Sequence, residues 1–180
     1  MEKYTIRRML PGDCADILLA IKELAKALKA EEQVVVNEEI LLSDGFGENR
    51  LFECFVAEYD DAIVGYVLYC TMYSSWVGKK AFMEDLYVKP KHQRHGVGTR
   101  LWRTAVKEAL KDGCNQMEWG ACSWNTSAIE FYKRKGAINI TDIEQFHTYR
   151  LSYESMHKFV NSGEKMGESD GEGRTHVHST

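Results

Sequence analysis

The stretch "EDLYVKPKHQRHGVGTRLW", residues 84–102, decides the fold, because it joins an apolar strand to a helix through a basic loop that contains glycine. Residues 80–88 have the pattern of a strand, and Pro90 ends it because proline lacks the amide hydrogen that a ladder needs. Apolar residues recur at helical spacing over 99–112, and Gly113 closes that helix. The stretch therefore predicts a strand, a short loop and a helix in direct succession.

The loop at 93–98 combines two glycines with polar side chains. Gly96 and Gly98 have no Cβ, so a ligand can approach their backbone closely. The helix that follows presents unpaired N–H groups and the positive end of its dipole, which together suit a phosphate group. Further donors are available from the side chains of Gln93, Arg94, His95 and Thr99. The spacing also fits an ordinary tight turn, and neither the dinucleotide-binding nor the Walker pattern is met.

The rest of the chain alternates between strand-like and helix-like patterns. Strands are expected at 5–9, 51–59, 62–73, 116–122 and 146–152. Helices are expected at 13–28, 38–43 and 126–135. Asp60 and Asp61 separate two of the strands and predict an antiparallel hairpin. This order predicts an α/β protein with a mixed sheet that carries helices on its faces.

The composition favours a single domain that is followed by a polar tail. The chain has 180 residues and is 44% hydrophobic, which is ample for one sizeable core, and we expect the domain over 1–160. Residues 161–180 are polar and rich in glycine, so a disordered tail is predicted there. We interpret His176 and His178 within it as incidental rather than as metal ligands.

Charge and cysteine content narrow the classes of function. The net charge of −4 argues against a nucleic-acid partner and favours small cationic partners. The five cysteines contain no Cys-x-x-Cys pair, so neither a disulfide framework nor a metal site is expected. Nothing in the sequence resembles a signal peptide or a membrane span, and we expect a cytoplasmic protein.

Motifs outside the loop extend the pattern over most of the chain. The loop itself reads Gln-x-x-Gly-x-Gly, and the other motifs are "IKELAK" (21–26), "EEQV" (31–34), "DGFGE" (44–48), "MEDLYV" (83–88) and "WNTSAIEFYKRKGA" (124–137). Together they make residues 3–155 resemble the diamine acetyltransferases of the GCN5-related N-acetyltransferase superfamily. These are the spermidine/spermine N1-acetyltransferases and the related thialysine N-acetyltransferase.

The resemblance implies an α+β fold whose mixed, mostly antiparallel sheet is flanked by helices. It also implies acetyl-CoA as cosubstrate, direct transfer in a ternary complex, and a homodimer. Its cosubstrate-binding residues would be Leu86, Val88, Gln93, Arg94, His95, Gly96, Val97, Gly98, Thr99, Asn125, Tyr132, Lys133 and Arg134.

Glu84 is the candidate general base. Strand alternation places it on one face with Phe82, Leu86 and Val88, where burial would raise its pKa toward neutrality. It lies about 13 Å from the strand end, within reach of a pantetheine arm that runs back from the loop. The resemblance implies that this base acts through water and that N–H groups near Leu86 polarise the acetyl carbonyl. A Glu-Asp pair that faces solvent at a strand edge is the alternative interpretation.

Tyr132 is the candidate general acid. It lies seven residues after Asn125, so both would project from one helix face, where an amide can hold pantetheine and a hydroxyl can protonate a thiolate. In the family, the tyrosine of the "FYKR" segment has this role. Without the resemblance, packing of Phe131 and Tyr132 against the sheet is the favoured interpretation of this pair.

A polyamine acceptor needs carboxylates for its charges and apolar walls for its methylenes. By family position, the candidates are Glu31, Glu32, Glu84, Asp85 and Glu144, with Trp76 and Trp124 as walls. Ser74 and Leu28 stand where the polyamine enzymes have acidic residues, and Ser74 matches the thialysine branch. "EEQV" and "FYKRKGA" instead favour the polyamine branch, so the acceptor stays open between polyamines, smaller diamines and lysine-like amines.

Two other functions compete with small-amine acetylation. One is acetylation of a protein lysine, which the acidic groove and the small size of the chain disfavour. The other, from a different class, is a non-catalytic module that binds CoA or a protein. The presence of Glu84, Tyr132 and the Gly-x-Gly loop argues against that module.

Overall fold

The computed structural model describes residues 4–145 and 147–167. Its strands are β1 Thr5–Arg8, β2 Glu53–Tyr59, β3 Ala62–Ser74, β4 Gly78–Val88 and β5 Met117–Trp119. They form one sheet in the order β1-β2-β3-β4-β5, antiparallel throughout except for the parallel pair β4–β5. The prediction of a mixed, mostly antiparallel sheet is confirmed.

The helices are α1 Cys14–Ala27, α2 Glu38–Phe46, α3 Val97–Lys111, α4 Thr126–Lys133, α5 Ile140–Glu144 and α6 Tyr153–Gly167. Two compact units divide the chain, with the boundary inside α4 after Ile129. The first unit holds the whole sheet with α1, α2 and α3. The second unit holds the end of α4, α5 and α6. A single domain over 1–160 stays a prediction.

The end of the chain differs from the sequence prediction. The strand expected at 146–152 is wrong over 147–152, where the structure has no strand; Phe146 lies outside the described residues. Tyr149 and Leu151 in that segment are exposed, because alternation alone supplies no partner strand. Helix α6 continues to Gly167 and so includes the first part of the predicted tail. The remainder of that prediction, 168–180 with its two histidines, lies outside the described residues.

Strand β3 is the centre of the first unit, because helices cover both of its faces. Its residues from Ile63 to Tyr69 are all buried. On one face Tyr66 and Leu68 pack in a core with Ile17 and Ala20 of α1. On the other face α3 packs against β2, β3 and β4. The buried residues of α3 are Val97, Leu101, Ala105 and Ala109, which recur at intervals of four.

A β-bulge interrupts the pairing of β3 and β4 halfway along β4. Leu68 pairs with Asp85 and Tyr69 pairs with Met83, so Glu84 is an extra residue without a partner in the ladder. Side chains alternate along a strand, so Glu84 lies on the face opposite Met83, and Asp85 shares that face through its pairing with Leu68. Two consecutive carboxylates therefore point to the same side of the sheet, the side that α1 and α2 cover.

Gly65 controls how closely β3 approaches β4. A Cβ at this position would lie 2.6 Å from the backbone oxygen of Tyr87 and 3.2 Å from Cα of Val88. We expect Gly65→Ala to lower the free energy of unfolding by about 1–3 kcal/mol, because two central strands would have to separate. Urea unfolding followed by circular dichroism measures this change.

Gly12→Ala is the matched control, since a Cβ at Gly12 would meet no atom within 4 Å. A Gly65→Ala protein as stable as the control would contradict the close approach of the two strands.

Candidate active site

The loop between β4 and α3 has a backbone that glycine and its neighbours make possible. Gly96 caps α3 in the left-handed conformation with φ 79°, and Arg94 also has a positive φ of 62°. The side-chain amide of Gln93 donates to the backbone oxygen of Val88 at 2.8 Å and ties the loop to the end of β4. The loop therefore holds the beginning of α3 beside the last residue of β4.

The first turn of α3 presents backbone donors at this point. The first amide of the helix to bond within it is that of Arg100, which donates to the oxygen of Gly96 at 3.0 Å. The preceding amides, on Val97, Gly98 and Thr99, belong to the first turn, where a helix offers no acceptor. A Cβ on Gly98 would lie at an ordinary 3.7 Å from the Val88 side chain. Packing within the chain therefore does not require a glycine at position 98. The missing side chain leaves room for a ligand.

Aromatic rings of Tyr4, Tyr59 and His92 cluster next to the loop. The Tyr4 hydroxyl and the Nδ1 atom of His92 are hydrogen-bonded at 3.3 Å. The centre of the Tyr59 ring lies 5.0 Å from that of Tyr4 and 5.1 Å from that of His92. The His95 ring lies 6.3 Å from that of Tyr4. Arg94 and His95 remain exposed, so both side chains are available to an anion at the start of α3.

The bulge changes the predicted surroundings of Glu84. The prediction that Glu84 shares a face with Leu86 and Val88 is wrong, because Leu86 pairs with Val67 on the opposite face. The extra residue shifts the alternation by one, and sequence periodicity alone does not reveal it. Glu84 is more exposed than predicted, but partial burial still raises the pKa of its carboxyl above the usual range, and the adjacent Asp85 raises it further.

Asp85 is held by a residue that the sequence analysis missed. The hydroxyl of Tyr66, which is fully buried, donates to Oδ2 of Asp85 at 2.8 Å. Burial raises the pKa of Asp85, and the hydrogen bond from Tyr66 opposes this rise. Tyr66 lies on β3, so only the strand register brings the two side chains together. No motif near Tyr66 signals this contact.

The α4 region contains the other predicted cosubstrate and catalytic residues. The side-chain oxygen of Asn125 accepts from the amide of Ala128 at 3.3 Å and so caps α4, which leaves its amide hydrogens as the groups that a ligand can use. In the second unit, the Tyr132 ring packs edge-on against Phe131, and Lys133 and Arg134 are exposed at the end of the helix. The approach of Tyr132 to Glu84 stays a prediction.

The predicted acceptor residues lie in several places. Glu31 and Glu32 begin a short 3₁₀ turn after α1, and both are exposed. Trp76 is exposed in the turn between β3 and β4, at the end of β4 remote from the loop, and Trp124 is exposed before α4. Glu144 is exposed at the end of α5 in the second unit. Within the first unit, the bulge places Glu84 and Asp85 on one side of the sheet, and Glu31 and Glu32 adjoin one another in the turn.

Neither a metal-binding group nor a membrane-spanning helix is found in the described residues. No group of three or more histidine, cysteine, aspartate or glutamate side chains within 4–145 and 147–167 has the arrangement of a metal site. In the same part of the chain, none of the helices combines the length and the apolar character needed to cross a bilayer.

Comparison with known proteins places the chain in a family. The acetyltransferase (GNAT) family model matches residues 19–137, which include the bulge, the loop and α3. The chain belongs to the acetyltransferase (GNAT) family. A solved structure from the mobile metagenome of V. cholerae, an integron cassette protein, shares the fold with a TM-score of 0.71 at 23% identity, covering 89% of this chain and 99% of that one.

Two curated relatives define the branch of the family more closely. The chain is 39% identical over 168 residues to the thialysine N-epsilon-acetyltransferase of Sus scrofa, which covers 89% of this chain and 99% of that protein. It is 34% identical over 163 residues to the spermidine/spermine N(1)-acetyltransferase-like protein 1 of Homo sapiens. That alignment covers 87% of this chain and 24% of the longer human protein.

The raised pKa of Asp85 makes stability depend on pH. A carboxyl whose pKa is higher in the folded than in the unfolded state favours folding when it is protonated, and this contribution is lost as pH rises through the folded-state pKa. We therefore expect Asp85→Asn, which stays neutral, to gain stability relative to the wild-type protein as pH rises from its usual pKa of 3.8 toward neutrality. Melting temperatures across that interval measure the difference.

Asp61→Asn, in the exposed turn between β2 and β3, is the control for removing one carboxylate. A difference between Asp85→Asn and the wild-type protein that stays constant with pH would show that Asp85 is not held in a buried, proton-favouring environment.

Proposed function

We propose that this protein is an acetyl-CoA-dependent N-acetyltransferase that acetylates a small primary amine by direct transfer in a ternary complex. The observation that carries this proposal is the arrangement along β4. A turn of backbone donors lies at the end of the strand, and two carboxylates lie at a bulge in its middle. About 13 Å separate them at the usual strand rise, a span that suits an extended pantetheine arm.

The residues at the start of α3 fit the diphosphate of acetyl-CoA. The amides of Val97, Gly98 and Thr99 point away from the helix at its positive end, where anions are stabilised. Arg94 and His95 are exposed beside them and supply positive charge and further donors. Along β4, Leu86 and Val88 supply backbone groups for the pantetheine arm, and in α4 the amide of Asn125 does the same. When bound, acetyl-CoA supplies the activated acetyl group.

Glu84 is proposed to act as the general base. An amine acceptor arrives as an ammonium ion and must lose a proton before its nitrogen can attack. Because its pKa is raised, the Glu84 carboxylate accepts a proton more readily than an ordinary glutamate does. It can therefore take this proton through an intervening water. Backbone N–H groups near Leu86 polarise the acetyl carbonyl toward the same side of the strand.

Tyr132 is proposed to act as the general acid. Breaking the thioester leaves a negative charge on sulfur, and the tyrosine hydroxyl can donate its proton there. Lys133 and Arg134 follow in the chain and would meet the negative charges of the cosubstrate. The support for these roles is the match of "FYKRKG" to the family, which is specific in its residue types and order.

The acceptor is proposed to be a small cationic amine. One similar protein is a thialysine acetyltransferase and another is a spermidine/spermine acetyltransferase-like protein, so polyamines, diamines and lysine-like amines are the candidates. Glu84 and Asp85 supply negative charge where such an amine would react. A CoA-binding module without catalysis is the competing function from another class, and the Glu84 environment argues against it.

The cellular setting and the oligomeric state are proposed on separate grounds. We propose a cytoplasmic protein, which agrees with the free state of all five cysteines. By the resemblance we also propose a homodimer, for which the exposed side chains of Tyr73 near the end of β3 and Trp76 in the following turn offer apolar surface. Neither a nucleic acid nor a membrane is proposed as a partner, because the chain is acidic overall.

A turnover assay tests the function and its proposed acid together. With acetyl-CoA, the wild-type protein should acetylate at least one amine of a panel that contains spermidine, spermine, putrescine, thialysine and a lysine peptide. Tyr132→Phe should lower kcat for that amine by about one to three orders of magnitude with little change in the KM for acetyl-CoA, because it removes a proton donor and leaves the ring.

Tyr149→Phe, at an exposed tyrosine of the second unit, is the control and should retain the wild-type rate. Stabilisation by acetyl-CoA without turnover of any amine would favour the CoA-binding module. Wild-type kcat in Tyr132→Phe would remove this tyrosine from the mechanism.

The loop assignment has its own test in Gly98→Val. A Cβ at Gly98 makes only an ordinary contact within the chain, whereas a ligand on the first turn of α3 would need that space. We expect the affinity for CoA to fall by about tenfold or more in calorimetric titration, while the melting temperature of the free protein changes little. Undiminished affinity in a well-folded Gly98→Val protein would place the diphosphate elsewhere.

A further inference from the structure

A buried hydroxyl on β3 contacts the bulge of β4. Tyr66 has no exposed surface, and its ring packs in the apolar core beside Ile17 of α1. A hydroxyl in such surroundings costs free energy unless it is hydrogen-bonded. Its oxygen lies 2.8 Å from Oδ2 of Asp85, to which it donates. Apolar packing alone therefore does not account for the oxygen of Tyr66, whereas the bond to Asp85 does.

Asp85 depends on this bond for its charge. Among the described side chains, only the Tyr66 hydroxyl donates a hydrogen bond to the carboxylate. Within residues 4–145 and 147–167, no salt bridge joins Asp85 or Glu84 to a cation. Burial raises the pKa of the Tyr66 hydroxyl far above its usual value, so this group stays a donor. The bond therefore opposes the effect of burial on Asp85 and favours its ionised form.

The charge of Asp85 acts directly on the proposed base. The bulge places Glu84 and Asp85 on one side of the sheet as neighbours in the chain. Burial raises the pKa of Glu84, and the charge of Asp85 raises it further. Two carboxyls that interact in this way titrate as a coupled pair. An ionised Asp85 consequently makes Glu84 the stronger base, and a neutral Asp85 does not.

The thiols on the neighbouring strands of this face stay neutral. Cys54 of β2 lies in one row with Asp85, because both pair with the same residue of β3. Cys70 of β3 lies near Glu84. Burial raises the pKa of both thiols above the usual value, so neither adds a charge beside the two carboxyls at neutral pH.

The groups that the helices bring to this face act on other partners. Tyr87 of β4 donates through its hydroxyl to Glu23 of α1 at 3.1 Å. Burial raises the pKa of the Cys14 thiol, and the charges of Glu38 and Asp13 raise it further. Asp13 itself is paired with a guanidinium of β1. The two carboxyls at the bulge respond instead to burial, to each other and to the hydroxyl on β3.

We propose that Tyr66 is a positioning residue for the reaction, which holds the charged carboxylate of Asp85 beside Glu84 and so strengthens Glu84 as a base. Tyr66 lies in the core and acts through Asp85 rather than on a substrate. The inference rests on the proposed acetylation of an amine and on Glu84 as its base. It assigns a functional reason to a tyrosine that the sequence motifs do not mark.

The experiment measures how kcat/KM depends on pH, with one amine that the wild-type protein acetylates. The acidic limb of this profile reports the protonation of Glu84 in the free enzyme. The variants are Tyr66→Phe, Asp85→Asn and the double substitution. Tyr87→Phe is the matched control, since Tyr87 is a buried tyrosine of the same face whose hydroxyl bonds Glu23. The same amine is used throughout, so its own ionisation does not affect the comparison.

Tyr66→Phe should move the acidic limb to lower pH by about half a unit or more, because Asp85 then takes up a proton before Glu84 and its charge is lost. Glu84 consequently keeps its own charge to lower pH. Asp85→Asn should move the limb in the same direction, and Tyr66→Phe should add nothing in the Asp85→Asn protein. Tyr87→Phe should leave the limb at the wild-type position.

Three results would overturn the inference while leaving the proposed function intact. They are a Tyr66→Phe limb at the wild-type position, a further shift when Tyr66→Phe is added to Asp85→Asn, and an equal shift in Tyr87→Phe. If Tyr66→Phe is too unstable to assay, the double substitution should restore its melting temperature, because it removes the charge that lost its donor. A double variant that stays as unstable would assign Tyr66 to packing alone.

Glu84→Gln separates this inference from the function on which it rests. The acidic limb should disappear in Glu84→Gln, because the titrating carboxyl is gone. A limb that persists there at the wild-type pH would remove Glu84 as the base, and this inference with it, while turnover would still support acetyl transfer. If the wild-type protein acetylates no amine of the panel, the proposed function fails, and this inference fails with it.

Discussion

One extra residue in β4 is the constraint on which the proposed site depends. Without the bulge at Glu84, strand alternation would place Glu84 and Asp85 on opposite faces of the sheet. With it, both carboxylates lie on the face covered by α1 and α2. Burial raises the pKa of both carboxyls, and the charge of Asp85 raises the pKa of Glu84 further. The buried Tyr66 hydroxyl holds Asp85 by a hydrogen bond and limits that cost. A general base that takes a proton from an ammonium group needs a raised pKa, and the bulge provides such a carboxylate.

The second constraint is the junction of β4 and α3. Gly96 begins α3 in a left-handed conformation, and Gln93 fixes the loop to the carbonyl of Val88. The donors of the first helical turn consequently lie at a fixed distance along the strand from the bulge. A long, flexible cosubstrate with an anionic end and a reactive end matches such an arrangement. The close approach of β3 and β4 at Gly65 keeps the strand that carries both features in place.

The sequence by itself determined the hairpin of β2 and β3, the strand β4, the loop and α3, because periodicity and turn residues are local signals. Its motifs also determined the family, since the residue types of the loop and of "FYKRKGA" are specific. The strand expected after Phe146 was wrong over 147–152, because a strand needs a partner that local alternation does not supply. Only the tertiary structure decided the bulge and the contact of Tyr66 with Asp85. Each of these depends on strand register or on helix packing between residues far apart in the chain, and no local pattern encodes which partner a buried side chain meets.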